Sequence, residues 1–197
     1  MKTVHLICNA HLDPVWLWEW EEGTAEAIST FRTAADFCEK FDGFIFNHNE
    51  VILYRWVEEY DPPLFRRIKK LVKEKKWHIM GGWFLQPDCN MPSGESFVRQ
   101  ILAGRRYFGE KFGVTPTTAI NFDPFGHTRG LVQVLGHAGV DVPVVVRLDG
   151  NAAAEGRALL ADAGIPGLTV APSAGEAVRL AVAGAAAPAG PDARREG

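Results

Sequence analysis

Asn9-Ala10-His11-Leu12-Asp13-Pro14-Val15-Trp16 follows the apolar run Val4-His5-Leu6-Ile7-Cys8, and this junction decides the fold class. The run reads as a buried parallel strand. His11 and Asp13 then stand where that strand ends, and in parallel α/β proteins the loops leaving the carboxyl ends of strands collect ligands and chemistry. A strand's period of two puts both side chains on one side. Imidazole and aspartate are ligands that Zn²⁺ accepts, although two of them make only half a site. A polar strand end in which Asp caps the turn before Pro accounts for the same residues. A metal site needs a partner from elsewhere in the chain.

The bulk composition narrows the class. With 47% apolar and 23% charged residues over 197 positions, the chain has the make-up of a soluble globular protein. A net charge of −3 and a pI near 6.1 give no reason to expect nucleic acid or an anionic membrane as partner. The one basic run, Arg66 to Lys76, reads as a solvated helix face. The chain opens Met-Lys-Thr and enters a strand at once, and no apolar stretch is long enough to span a bilayer. Cys8, Cys38 and Cys89 are widely spaced and odd in number, which fits reduced thiols and a cytoplasmic location.

The aromatics stop abruptly. All six Trp, all three Cys and all six His precede residue 138, and no Phe, Tyr or Trp follows Phe125. A boundary is therefore expected near Gly139 to Asp141, dividing the chain into 1–140, 141–183 and a flexible tail over 184–197.

Along the first part, Trp16-Leu17-Trp18-Glu19-Trp20 is an aromatic cluster suited either to lining a sugar-sized cleft or to core and lid packing. Helical spacing runs from about Thr24 to Phe41, with Gly43 as a stop signal; a short strand follows over Phe44 to Asn47. Helices are expected over Val51 to Tyr60 and from Asp61-Pro62-Pro63 to about Lys76. The strand Trp77 to Trp83 delivers the loop Gln86 to Ser96 to the same end as the first loop. Ser93 to Ser96 resembles a helix start, which would make Glu95 a first-turn carboxylate. After the helix Phe97 to Phe112, a fourth strand, Thr118 to Phe122, ends in Asp123-Pro124-Phe125-Gly126-His127. Asp123 is thus a second strand-end Asp, the partner that the opening pair lacks.

Three motifs together carry a family resemblance. His11-Leu12-Asp13-Pro14-Val15-Trp16, the run from Gly81-Gly82-Trp83 through Asp88-Cys89-Asn90-Met91-Pro92-Ser93-Gly94-Glu95-Ser96 to Arg99-Gln100, and Asp123-Pro124-Phe125-Gly126-His127 resemble the amino-terminal part of the glycoside hydrolase family 38 α-mannosidases over about residues 3–140. The resemblance implies an α/β fold, a parallel β/α partly barrel-like domain, whose site holds one zinc and acts on an α-mannoside with retention. It makes His11 and Asp13 zinc ligands, Asp123 both ligand and catalytic nucleophile, and Trp16 a packing surface for the sugar. Asp88 becomes a candidate substrate-binding or supporting carboxylate, and His127 a buttress of its loop. The family's fourth zinc ligand, a His, and its acid/base Asp fall downstream of residue 197, and no histidine follows His137. Reduced or absent turnover is therefore expected; a non-catalytic zinc- or carbohydrate-binding fragment is the alternative.

The second part, about 142–183, resembles the end of the β subunit of succinyl-CoA ligases. From its residues alone it is a short βαβα flavodoxin-like piece: a strand Val142 to Arg147, helix Ala152 to Ala163, strand Leu168 to Ala171 and helix Ser173 to Ala183. The two resemblances together imply a fusion of a truncated mannosidase domain with a ligase tail; a rival account keeps the chain continuous, since the mannosidase family also has a strand here ending in an Arg that contacts substrate, and Arg147 stands at a suitable distance. Ligase activity is not expected, because no nucleotide-binding region accompanies this piece. Nothing in the sequence indicates the oligomeric state.

Overall fold

A computed structural model of the chain describes residues 8–137, 144–147, 153–162, 168–173, 176 and 179–180. Most of the expected first strand, the 139–141 junction, most of the last expected helix and the tail lie outside these residues. The chain divides into two compact units, 1–140 and 141–197.

The first unit contains α1 (Trp20–Lys40), β1 (Phe46–Glu50), α2 (Val51–Tyr60), α3 (Pro62–Lys73), β2 (Trp77–Trp83), α4 (Gly94–Phe112) and α5 (Arg129–His137). β1 and β2 are parallel, in register from Phe46↔Trp77 to His48↔Ile79. Cys8 makes a parallel bridge to Phe46, which ties the carboxyl end of the expected first strand beside β1. On the far side the amide of Gly81 donates to the carbonyl of Thr118 (2.9 Å).

The helices form where the pattern asks for them. α1 buries Ala27, Phe31, Ala34, Ala35 and Cys38, an apolar stripe at helical spacing. Asp61 caps α3 by accepting from the Leu64 amide (3.0 Å), with Pro62 at the first helical position. Ser93 caps α4 in the same way and Gly113 ends it in the left-handed conformation. Phe31, Phe46, Tyr54 and Trp77 meet edge to face at centroid separations of 4.6–6.4 Å and form the centre of the core. The Trp77 indole donates to the Tyr54 hydroxyl (2.9 Å), which donates to the His48 carbonyl (3.2 Å), so the polar atoms of these two core side chains are paired.

Three expectations need correction. The strand placed at Phe44 to Asn47 runs instead over Phe46–Glu50, with Ile45 exposed. The segment Thr118 to Phe122 forms no named strand. Beside it β2 advances four residues while β1 advances two, through Gly81 and Gly82 at φ +88° and +81°, so the backbone that this segment would pair with departs from regular strand geometry. Finally, α5 occupies a stretch where no element was anticipated.

In the second unit β3 (Val144–Arg147) and β4 (Leu168–Ala171) pair in parallel around α6 (Ala153–Asp162). This is a βαβ unit as expected, with Arg147 in register with Ala171.

Candidate active site

The residues that position the candidate site come from a strand whose composition looks wrong for its place. β1 reads Phe46-Asn47-His48-Asn49-Glu50, and every one of these residues is buried. Burying polar side chains is costly unless each finds a partner. Asn47 donates through Nδ2 to the Cys8 carbonyl (2.8 Å) and receives the Asn9 amide at its own carbonyl (2.9 Å). His48 Nε2 lies 2.9 Å from the Ala10 carbonyl and its Nδ1 accepts the Asn49 amide (3.0 Å). A carbonyl only accepts, so Nε2 carries the proton and the ring is neutral. Burial lowers the His48 pKa to about 4, in keeping with that form. β1 thereby grips the three residues leading into His11.

Glu50 closes the strand differently. It is 2% exposed and its Oε2 is buried without a hydrogen-bond partner. Burial, with the charge of Asp13 adding to it, raises its pKa to about 8. A buried carboxyl beside the first loop is what sequence reasoning missed; its signal was the polar run Asn47 to Glu50 between the apolar Phe44-Ile45-Phe46 and Val51-Ile52-Leu53.

His11 Nε2 and Asp13 Oδ1 stand 3.3 Å apart, both partly exposed. Two donors on a tetrahedral Zn²⁺ with bonds of about 2.0–2.1 Å are separated by about 3.3 Å, so the spacing and the donor types fit that ion. The Trp18 indole donates to the Asp13 carbonyl (3.2 Å), and Pro14 packs so closely on Gly23 that a Cβ there would lie 2.0 Å from the Pro14 oxygen. Trp16, Trp18 and Trp20 are all exposed in this chain.

Asp123 stands on a second loop that packs against the first. Trp16 stacks on Phe125 with centroids 5.6 Å apart, bringing the first loop against the Asp123 loop. Asp123 itself is exposed and takes φ +50°, a left-handed conformation uncommon for a non-glycine residue. Gln86 holds the residue before it: its Oε1 accepts the Phe122 amide (2.7 Å) and its Nε2 donates to the Phe122 carbonyl. Among the described residues no three His, Cys, Asp or Glu side chains form a group that could hold a metal ion, so Asp123 does not complete one with His11 and Asp13 in this arrangement.

The remaining candidates fall into place locally. Asp88 accepts the Asn90 amide (3.3 Å) in a side-chain turn that shapes its own loop. Glu95 pairs with Arg99 one turn along α4 (2.9 Å), in keeping with a first-turn carboxylate. Cys89 is buried, its thiol pKa pushed up by that burial, and it accepts from the Asn121 side chain (3.1 Å), which makes it an inert packing residue. Arg147 belongs to the second unit. No helix among the described residues is long and apolar enough to cross a membrane.

Comparison with known proteins decides the lineage. The model of the glycosyl hydrolases family 38 N-terminal domain matches residues 1–156. The chain belongs to family 38. The match runs past the composition break and takes in Arg147. Among curated family 38 relatives, Alpha-mannosidase G of Dictyostelium discoideum is 33% identical over 148 residues, 75% of this chain and 14% of that protein. Alpha-mannosidase 2C1 of Homo sapiens is 30% identical over 138 residues, 70% of this chain and 13% of that protein. The chain therefore spans about one-seventh of the length of these relatives. The crystal structure of an alpha-mannosidase from Enterococcus faecalis shares the fold at a TM-score of 0.62 and 24% identity, covering 68% of this chain and 15% of that one.

Proposed function

We propose that this chain carries the zinc-binding rim of a retaining α-mannosidase site. His11 and Asp13 are two ligands of one Zn²⁺, and Asp123, which the arrangement described above does not bring to them, moves in on metal binding as the third ligand and is also the nucleophile. The single observation that carries the reading is the 3.3 Å His11–Asp13 pair facing a rim that the Trp16–Phe125 stack shares with the Asp123 loop. Zinc, when bound, supplies a Lewis-acidic charge that holds vicinal sugar hydroxyls.

The chain's own residues supply the nucleophile and the sugar contacts. The Asp123 carboxylate attacks the anomeric carbon as the glycosidic bond breaks, and water later releases the sugar with its configuration retained. Trp16 offers an exposed aromatic face for the apolar side of a mannose ring. Asp88 shapes the loop beside it, and Arg147, inside the family match, is a candidate substrate contact. The partly barrel-like first unit and a flavodoxin-like second unit belong to this reading; the latter is supported by the parallel β3–β4 pair, and its resemblance to the end of a succinyl-CoA ligase β subunit remains part of the proposal.

The test is hydrolysis of an aryl α-mannoside together with zinc content, on the natural chain and on Asp123→Ala. The expected result is bound zinc with slow hydrolysis, lower by about 10²–10⁴ than with an acid catalyst in place, and no hydrolysis in Asp123→Ala. Zinc without turnover assigns the chain a binding role alone. Turnover unchanged by the substitution removes Asp123 from the reaction.

A further inference from the structure

Phe122 and Asp123 lie outside any strand, so no ladder holds them. An exposed aspartate in a left-handed turn at the end of such a segment needs another source of order. Gln86 supplies both hydrogen bonds that a neighbouring strand would have made to Phe122: Oε1 accepts its N–H (2.7 Å) and Nε2 donates to its carbonyl. One carboxamide therefore imitates a backbone peptide.

A glutamine amide can ordinarily turn over and exchange its oxygen for its nitrogen. Here Asn49 donates from Nδ2 to the same Oε1 (3.3 Å). Turning the Gln86 amide would set its N–H₂ against two donors, the Asn49 side chain and the Phe122 amide, so a single orientation is allowed. Asn49 is itself fixed: it lies between the register pairs His48↔Ile79 and Glu50↔Trp83, where a Cβ on Gly81 would stand 2.4 Å from its own Cβ. The chain of contacts runs from the floor of the sheet, through Asn49 and Gln86, to the residue next to Asp123.

We propose that Gln86, oriented by Asn49, is the positioning residue of the Asp123 carboxylate: its two-pronged grip on Phe122 sets where that carboxylate stands relative to the His11–Asp13 pair. This rests on the reading of Asp123 given above. A side chain that merely filled space would be replaced by an isosteric apolar one at little cost; a clamp would not be.

The experiment compares Gln86→Met, Gln86→Glu and Asp123→Asn, singly and with Gln86→Met combined with Asp123→Asn, all in the full chain. Two quantities are read: hydrogen exchange at the Phe122 amide, and Zn²⁺ affinity by competition with a chromophoric chelator. Gln86→Met is expected to speed Phe122 exchange about tenfold or more, the loss of a hydrogen bond of ordinary strength, with no comparable change in the core strands. Gln86→Glu, which retains the acceptor, falls between. Zinc affinity drops about tenfold in Gln86→Met, and adding that change to Asp123→Asn lowers it no further. Unchanged Phe122 exchange in Gln86→Met overturns the clamp. Faster exchange with full zinc affinity, when Asp123→Asn alone weakens binding, overturns the positioning role. If the natural chain binds no zinc, the metal reading fails, while Phe122 exchange still decides the clamp.

Discussion

His48 and Glu50 are two buried titratable groups whose burial acts in opposite directions. His48 is lowered to about 4 from 6.5, so its contribution to stability is complete above pH 6.5 and is lost as pH falls through about 4. Glu50 is raised to about 8 from 4.5, so its contribution is complete below pH 4.5 and is lost as pH rises through about 8. Between 4.5 and 6.5 the two slopes oppose each other. Above that only the Glu50 slope remains, up to about 1.4 kcal/mol per pH unit. Urea midpoints of the metal-free chain are therefore expected to fall between about pH 6.5 and 8.5, and Glu50→Gln is expected to flatten that interval. His48→Leu leaves the Ala10 carbonyl and the Asn49 amide without partners, and should cost about 2–4 kcal/mol in chemical denaturation. His11 and Asp13 were readable in the sequence because chemistry-bearing side chains at a strand end stand out. Asn47 to Glu50 and Gln86 were not, because pattern reading treats a polar run as a solvated one, whereas here each residue up to Asn49 is buried and hydrogen-bonded.

At the scale of elements, α4 sits so tightly on β2 that a Cβ at Gly104 would lie 1.9 Å from the Gly82 carbonyl oxygen. Gly109, on the same helix, has open space around it. Gly104→Ala should destabilise the fold by more than about 2 kcal/mol through forced separation of helix and strand. Gly109→Ala should stabilise it by about 0.4–1 kcal/mol, the gain of alanine in a helix. Thermal melts of the two variants check both signs. The elements that the sequence displayed clearly were those with an unbroken period: Val51–Tyr60, Trp77–Trp83 and Leu168–Ala171 begin and end as their patterns indicate. Thr118 to Phe122 has the pattern of a strand but faces two glycines with positive φ, so its partner's backbone, which the pattern does not encode, decided the outcome.

Over the whole molecule, family membership accounts for the three separated motifs, all of which fall within the matched residues 1–156. His11 and Asp13 stand 3.3 Å apart, and Asp123 follows the residue whose amide Gln86 accepts. A cation that binds this native arrangement and not the unfolded chain raises stability by about 2.7 kcal/mol at a hundred times its dissociation constant. The most direct measurement of the central claim is zinc-edge X-ray absorption on the zinc-loaded full chain and on Asp123→Ala. One imidazole with carboxylate and water oxygens at about 2.0–2.2 Å, and one protein oxygen fewer in Asp123→Ala, is the predicted result. A sulfur-dominated shell, or spectra that are the same in both proteins, would contradict it.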